Sequence, residues 1–245
     1  MDSLLAHLLA LIRPGDTLWW GQATAEPLTL TRALVAHRHA LAQGGRLRVF
    51  VGMAASDTLQ PAHSDTLDFF GYAAGGAHRA LAQAGVLDIL PSHYSHLPGL
   101  IRAGVLPVDV VLLQVSPPDE QGRYSLGLAQ EYLPAALEQA RVVIGEVNPA
   151  IPWTHGSVSL HANDFALLID AEHPPLEQTR TAPGPVEQAI ARHIATLIDD
   201  GATLQLGVGN LPEAVLAALH GHRDLGLHSG AVGDGIAALA EAGVL

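Results

Sequence analysis

The sequence predicts an α/β fold with mostly parallel sheets and a second domain that is incomplete. Strand-like and helix-like segments alternate along the chain, which is the pattern of βαβ units. The valine-rich run 108–115 is almost wholly apolar, as expected for a strand buried on both faces of a parallel sheet. The 25 glycines and 16 prolines supply the many tight turns that such a fold requires.

The first part of the chain predicts a complete α/β domain over residues 1–172. Apolar, strand-like runs occupy 17–20, 46–51, 86–90, 108–115, 141–147 and 165–169. Helical patterns predict helices at 4–12, 28–41, 76–84, 97–103 and 132–139. The apolar run at 4–12 has no basic segment before it and leads into a Pro-Gly turn, so it predicts a short helix and not a signal peptide.

Residues 173–185 predict a linker, because this segment is proline-rich, polar and without an apolar period. The second domain follows at 186–245 and opens with a helix at 186–199, where Ile190, Ile194 and Leu197 keep helical spacing. A strand at 203–206, a helix at 213–220 and a strand at 225–228 come next. Two strands are too few for a stable sheet, so we expect further residues or another chain to complete this domain.

Charge and composition exclude several classes of function. The formal net charge of −12 disfavours binding to nucleic acid or to anionic membranes. The chain has no cysteine, which excludes disulfides and a cysteine nucleophile and fits a cytoplasmic protein. No apolar run reaches the roughly 18 residues that span a membrane. The 14 histidines include close pairs, but none has the spacing of a zinc site, so we predict no metal.

Two glycine-rich turns follow the strands predicted in the second domain. The first reads Gly-Val-Gly-Asn-Leu-Pro at 207–212, and the second follows His228 and Ser229. Neighbouring strand ends that open onto bare main-chain N–H groups suit a small ligand with an anionic or carbonyl oxygen. The alternative is a turn that only lets the strand approach the helix closely. The expected ligand-binding residues are Gly207, Val208, Gly209, Asn210 and Leu211.

Five ordered motifs extend over most of the chain, at 104–122, 125–127, 146–156, 200–212 and 224–229. Together they resemble the acetyl-CoA hydrolase/transferase family, which includes the 4-hydroxybutyrate CoA-transferases. The resemblance implies two related α/β domains of the CoA-transferase-like type, a fold similar to that of sugar-phosphate isomerases. It also implies coenzyme A as substrate and product, and acyl-CoA thioesters and small carboxylates as partners.

The resemblance also implies a catalytic segment at His228, Ser229 and Gly230. In the family, a glutamate follows the His-Thr/Ser pair and attacks the thioester to give a glutamyl-CoA intermediate. Here that position is Gly230, which has no side chain. One interpretation is that water or the acceptor carboxylate attacks directly, while His228 serves as a general base and Ser229 orients the thioester. The glycine turn would then stabilise the oxyanion.

Other interpretations stay open. His228 and Ser229 are also explained as ordinary strand-end residues, in which case the protein is a silent CoA-binding or partner subunit. A sugar-phosphate isomerase is disfavoured, because no basic cluster lies near the glycine turn. Unpaired strand edges in the second domain predict a homo-oligomer or a second chain that completes the domain. Asn148, Gln114 and Ser116 follow or end buried strands, where they either face a ligand or satisfy local main-chain groups.

Overall fold

The computed structural model describes residues 3–178 and 181–245. The chain divides into two compact units, with the boundary between residues 178 and 179. This boundary falls inside the linker predicted at 173–185, of which residues 179 and 180 lie outside the described residues. No described helix is both long and apolar enough to cross a membrane.

Unit 1 (residues 1–178) is built on a parallel sheet of seven strands. Its described strands are β1 (Thr17–Trp20), β2 (Leu47–Phe50), β3 (Leu67–Gly71), β4 (Leu87–Ile89), β5 (Val110–Val115), β6 (Arg123–Tyr124), β7 (Val142–Val147), β8 (Leu160–His161) and β9 (Leu167–Asp170). The sheet has the order β4-β3-β2-β1-β5-β7-β9, and β6 pairs with β8 in a separate antiparallel ribbon. Successive strands are added outward from β1 on one side and from β5 on the other, so the strand order reverses between β1 and β5.

Helices cover both faces of this sheet. The described helices of unit 1 are α1 (Ser3–Leu11), α2 (Leu28–Ala36), α3 (Arg38–Leu41), α4 (Arg79–Gln83), α5 (Leu97–Arg102) and α6 (Leu133–Gln139). Side chains alternate along a strand, so the neighbours Trp19 and Trp20 of β1 belong to two different apolar clusters. Trp20 packs in the cluster that α1 and α2 cover, and Trp19 in the one that α5 and α6 cover. The sheet is therefore buried on both faces, as the apolar strands predict.

Unit 2 (residues 179–245) is smaller and holds the two glycine turns. Its described elements are α7 (Pro185–Ala195), β10 (Thr203–Leu204), α8 (Asn210–Ala218), β11 (Gly226–Leu227) and α9 (Asp234–Glu241). The two strands are parallel, with Thr203 opposite Gly226. Their core is supplied mainly by α8 and α9, where Leu216 and Leu239 are buried.

Several elements differ from their predicted bounds. The helix predicted at 28–41 is interrupted at His37, whose φ of −107° separates α2 from α3. The helix predicted at 213–220 begins earlier, at Asn210. Pro212 does not prevent this start, since it lies in the first turn, where a main-chain N–H has no helical partner to lose. The helix predicted at 76–84 begins with a 3₁₀ turn, and that predicted at 186–199 ends at Ala195. The strand β3 and the helix α9 were not predicted.

Candidate active site

The first glycine turn of unit 2 lies between β10 and α8. Gly209 directly precedes α8 and has φ 130° and ψ 177°, a conformation that residues with side chains rarely adopt. Gly207 and Val208 form the loop before it, and Asn210 and Leu211 are the first residues of the helix. The five predicted binding residues thus form one continuous turn at the N-terminus of a nine-residue helix.

Main-chain N–H groups are the groups of this turn that can bind a ligand. Gly207, Val208 and Gly209 are exposed, and their N–H groups form no hydrogen bond with residues 3–178 or 181–245. The helix that follows adds partial positive charge at its N-terminus. Donors of this kind can hold a carboxylate, or a thioester oxygen that gains negative charge during acyl transfer.

Ser229 ties the second turn of unit 2 to the first. Its hydroxyl lies 3.1 Å from the Leu206 carbonyl and 2.7 Å from the Ala231 carbonyl, and it accepts a hydrogen bond from the Leu206 N–H at 3.3 Å. A single hydroxyl hydrogen serves one of these carbonyls at a time, and the shorter distance favours Ala231. The side chain of Ser229 therefore holds the two turns in place.

His228 and Gly230 flank Ser229 and are exposed. The His228 N–H donates to the Leu204 carbonyl at 2.9 Å, which extends the pairing of β10 with β11 by one residue. The imidazole of His228 forms no hydrogen bond or ion pair with the described residues. Around Gly230, no heavy atom lies within 4 Å of the position that a Cβ would take, and its φ is outside the left-handed region. A side chain at position 230 is therefore sterically allowed.

In unit 1, Gln114 and Asn148 bond to each other and to the main chain. The Asn148 Nδ2 donates to Gln114 Oε1 at 2.9 Å and to the His173 carbonyl at 3.1 Å. The Asn148 Oδ1 accepts from the Ala150 N–H at 3.0 Å, and the Gln114 Nε2 donates to the Thr24 carbonyl at 3.1 Å. Both amides are therefore used within the chain, and of the two interpretations the structure favours local satisfaction.

Ser116 has the same role. Its hydroxyl donates to the Pro117 carbonyl at 2.9 Å and accepts from the Ser125 N–H at 3.1 Å. The hydroxyl of Ser125 in turn donates to the Thr154 carbonyl at 2.8 Å. These bonds fold the conspicuous motifs 104–127 and 146–156 against each other, so their polar residues build a loop framework.

A polar cluster that the sequence analysis missed lies where β1, β2 and β3 end. We call Gln22, Tyr72, Tyr94 and Glu131 the strand-end cluster. Gln22 is buried, and its Oε1 accepts from the Met53 N–H at 2.8 Å and from the Tyr72 hydroxyl at 2.7 Å. Its Nε2 donates to Glu131 Oε1 at 2.8 Å and to the Tyr94 hydroxyl at 3.3 Å. The available signal was a polar residue directly after a strand-end glycine, in Gly-Gln at 21–22 and Gly-Tyr at 71–72.

Two carboxyl groups of unit 1, those of the buried Glu146 and the partly buried Glu131, have raised pKa values. Burial raises the pKa of Glu131, and hydrogen bonds from Gln22 oppose the rise. Burial also raises the pKa of Glu146, which the N–H of Leu30 and the start of α2 partly offset and the nearby Glu26 reinforces. In each group one oxygen is buried without a hydrogen-bond partner among the described residues: Glu131 Oε2 and Glu146 Oε1.

Among residues 3–178 and 181–245, no group of three or more His, Cys, Asp or Glu side chains is placed to hold a metal ion. Histidines from two of the close pairs in the sequence instead contact each other or the main chain. His93 and His96 contact each other edge to face, with ring centroids 5.3 Å apart. The Nε2 of His222 donates to the carbonyl oxygens of Ala195 and Ile198, at the end of α7 and just beyond it. The chemically distinct features are therefore the glycine turns of unit 2 and the strand-end cluster of unit 1.

Comparison with known proteins finds a matching family and similar CoA transferases. Residues 5–174 match the family described as acetyl-CoA hydrolase/transferase N-terminal domain. The 4-hydroxybutyrate coenzyme A transferase of Clostridium kluyveri is 37% identical over 226 residues, covering 92% of this chain and 52% of the relative. The succinyl-CoA:cyclohexane-1-carboxylate CoA transferase of Geobacter metallireducens is 32% identical, covering 96% of this chain and 53% of the relative. The chain thus spans about half the length of these curated relatives.

Among solved structures, RipA from Yersinia pestis superposes with a TM-score of 0.88 at 28% sequence identity. The match covers all of this chain and 61% of the RipA chain. The likeness supports the α/β fold that the alternating strands and helices predict.

Proposed function

Because the chain belongs to the acetyl-CoA hydrolase/transferase family, we propose that it transfers coenzyme A from short-chain acyl-CoA thioesters to small carboxylates, or hydrolyses these thioesters. The relatives named above are CoA transferases for 4-hydroxybutyrate and for succinyl and cyclohexane-1-carboxylate groups. The observation that carries the proposal is the run of three unpartnered main-chain N–H groups at Gly207, Val208 and Gly209. We propose a cytoplasmic location for this activity.

The first glycine turn supplies the binding and the electrostatic part of the reaction in this proposal. Residues 207–211 bind coenzyme A at the thioester end, and their N–H groups donate to the carbonyl oxygen of the acyl group. Negative charge grows on that oxygen when the carbonyl carbon is attacked, so donors fixed in advance stabilise the transition state more than the ground state. Ser229 keeps the second turn in register with the first.

The glycine at position 230 has no side chain that could attack the thioester. Since no carboxylate stands at this position, we propose that an oxygen of water or of the acceptor carboxylate attacks the thioester carbon directly. When water attacks, a new C–O bond forms at the acyl carbon, the C–S bond breaks, and the thiolate of coenzyme A leaves and takes up the proton that the water loses. When the acceptor carboxylate attacks, the same bonds form and break to give a mixed anhydride. The thiolate then attacks the acceptor's carbonyl carbon in this anhydride, which forms the new thioester and releases the donor acid as its carboxylate. His228 is exposed next to Ser229, where its imidazole can take the proton of an attacking water.

We propose that unit 2 is covered by a further polypeptide surface, in a homo-oligomer or from a second chain. The supporting observation is apolar exposure, with Leu197 82% exposed and Val186 68% exposed. The sheet of unit 2 also has two strands, each with one edge unpaired among the described residues.

Turnover of acyl-CoA thioesters tests the proposed activity. The protein is incubated with acetyl-CoA or butyryl-CoA, with and without a carboxylate acceptor, while thiol release and new acyl-CoA are followed. Gly209→Val places a side chain in a left-handed conformation, so we expect turnover to fall about a hundredfold or more as donors are lost. Gly221→Val is the matched control, because that glycine has open space and an ordinary φ.

The outcomes separate the proposal from its alternatives. Turnover that Gly209→Val abolishes and Gly221→Val preserves supports the enzyme. Coenzyme A binding without turnover identifies a silent binding subunit instead. A protein that shows neither binding nor turnover overturns the assignment of the glycine turn.

A further inference from the structure

The second glycine turn of unit 2 leads into a helix that has no cap of its own. This turn, residues 230–235, follows β11 and includes the first two residues of α9. The first N–H groups of a helix have no partner inside it, and the side chain of the residue before the helix commonly supplies an acceptor. In α9 that residue is Gly233, which has no side chain to offer. An acceptor for the first N–H groups of α9 therefore has to come from another element or from solvent.

Glu213 of α8 supplies this acceptor. Its Oε2 accepts a hydrogen bond from the Gly235 N–H at 3.2 Å. The next N–H, that of Ile236, donates to the Gly233 carbonyl at 3.1 Å, so the two bonds serve consecutive groups of the first turn. The partial positive charge at the start of α9 also favours a carboxylate there. Since Glu213 itself lies in the first turn of α8, one carboxylate lies near the starts of both helices.

The absence of a side chain at Gly235 lets the carboxylate reach the main chain. A Cβ at this position would lie 2.8 Å from Glu213 Oε2 and 2.9 Å from Leu216 Cδ1, both closer than van der Waals contact. The φ of Gly235 is outside the left-handed region, so the backbone conformation does not require a glycine there. Leu216 and Leu239 are buried in the common core of α8 and α9, which keeps the two helices together. The contact is therefore part of the packing of unit 2.

The second glycine turn is bonded at both ends to the segments that flank the first turn. Before it, the Ser229 hydroxyl accepts from the N–H of Leu206, which directly precedes the first turn. At its end, the Gly235 N–H donates to Glu213, which lies on α8 just after the first turn. Between these bonds, Gly230 is exposed and has open space around it. The position of Gly230 relative to the first turn therefore depends on two bonds, one from Ser229 and one to Glu213.

We infer that Glu213 is a positioning residue, which holds the second glycine turn against the first through the Gly235 N–H. Glu213 acts through the turn and not on substrate. The effect on turnover rests on the proposed function, whereas the contact itself does not. The proposed function assigns coenzyme A binding to residues 207–211 and the attack on the thioester to the side of His228 and Gly230. Loss of the contact should therefore slow the attack and leave coenzyme A binding almost unchanged.

Three variants and one control test the role of the Glu213 carboxylate. Glu213→Ala removes the acceptor and keeps a residue that favours the helix. Glu213→Gln keeps a side-chain oxygen that can accept from the Gly235 N–H. Glu213→Asp withdraws the carboxylate by one methylene and carries the same expectations as Glu213→Ala if that variant fails to fold. Glu241→Ala is the control, because Glu241 is an exposed glutamate at the end of α9 that bonds to no residue in 3–178 or 181–245.

Amide hydrogen exchange, followed by NMR without any substrate, tests the contact separately from turnover. In Glu213→Ala the Gly235 N–H should exchange about tenfold faster, which corresponds to the loss of one hydrogen bond to a charged group. The N–H of Ala231, inside the second turn, should exchange about threefold faster, because the turn is then held at one end only. Glu213→Gln should remain within about threefold of the unaltered protein at Gly235, since a neutral acceptor forms a weaker bond. The control Glu241→Ala should change neither rate.

Steady-state kinetics with butyryl-CoA and acetate separate positioning from simple stabilisation of the helix. Glu213→Ala should lower kcat about tenfold, because a small displacement of the reacting groups is enough for such a loss. The KM for butyryl-CoA and the Kd for coenzyme A, measured by calorimetry, should stay within about twofold, because the first turn is intact. Glu213→Gln should restore most of kcat. A cap that only stabilises α9 would change the unfolding midpoint without changing kcat of the folded enzyme.

The outcomes distinguish failure of the inference from failure of the proposed function. Faster exchange at both Gly235 and Ala231 in Glu213→Ala, with rescue in Glu213→Gln, supports the positioning role. That result supports it even in a protein without acyl-CoA turnover, which overturns the proposed function alone. Faster exchange at Gly235 with an unchanged kcat identifies a helix cap and overturns the inference, as does a higher KM at an unchanged kcat. Unchanged exchange at Gly235 also overturns it and leaves the proposed function intact.

Discussion

Replacing Gln22 should destabilise unit 1 far more than replacing an exposed glutamine. Gln22→Met keeps an unbranched side chain of similar volume but removes all four hydrogen bonds of the amide. The matched control is Gln121→Met, which removes an exposed amide whose side chain accepts one hydrogen bond, from Arg123 at 3.0 Å. Comparing the two variants separates the buried network from the change of residue type.

The expected cost follows from the groups that lose their partners. The Met53 N–H and Glu131 Oε1 each have Gln22 as their hydrogen-bond partner in the described structure. An unsatisfied buried group costs about 1–3 kcal/mol. The hydroxyls of Tyr72 and Tyr94 are closer to solvent and can turn to water, so they add little. We therefore expect Gln22→Met to lower the free energy of unfolding by about 2–4 kcal/mol, and Gln121→Met by less than about 0.5 kcal/mol.

Tryptophan fluorescence during urea unfolding measures this difference in unit 1 alone. All three tryptophans, Trp19, Trp20 and Trp153, lie before the boundary at residue 178. With a urea slope of about 2–3 kcal/mol per molar, the midpoint should fall by about 0.7–2 M at unchanged slope. Equal midpoints for Gln22→Met and Gln121→Met would refute the network as a source of stability.

Three further changes have defined outcomes. Burial raises the pKa of Glu146, so this group adds stability at low pH that is lost as the pH rises above the ordinary carboxyl range. Glu146→Gln should therefore flatten the fall of the urea midpoint over that rise in pH, and an unchanged profile contradicts the burial of this acid. Gly230→Glu should fold normally and accumulate a hydroxylamine-sensitive CoA adduct that mass spectrometry detects. The control Gly221→Glu should fold but form no adduct. Absence of an adduct in Gly230→Glu argues against position 230 as the position of a nucleophile. Ser229→Ala should destabilise the two turns by about 1 kcal/mol, seen as faster amide hydrogen exchange at Leu206, and unchanged exchange there would mean that the hydroxyl does not hold the turns.

The parallel sheet was predictable because its strands are short apolar runs with helical segments between them. The predicted strand 17–20 agrees with β1, and the run 108–115 contains β5. The strand β3 escaped prediction because Asp68 interrupts its apolar pattern, and the structure accounts for that residue by an ion pair with Arg46 at 2.8 Å. The break at His37 was equally invisible, because helical spacing continues on both sides of it.

The two chemical features differ in how far the sequence reveals them. The glycine turn uses main-chain donors of consecutive residues, so a local pattern of glycines is enough to predict it. The strand-end cluster joins Gln22 to residues that are 31, 50, 72 and 109 positions away. No local pattern specifies such a set, and the order of the strands decides which of their ends meet.

The two acids of unit 1 whose pKa values are raised are accommodated differently by the fold. Glu146 has a structural reason for its place, since its Oε2 accepts from the Leu30 N–H at 3.2 Å at the positive start of α2. Glu131 directly precedes the N-cap residue of α6, adopts a strained φ of 48°, and leaves one oxygen without a hydrogen-bond partner among the described residues. Its burial and strain oppose folding, and the hydrogen bond from Gln22 offsets only part of that cost.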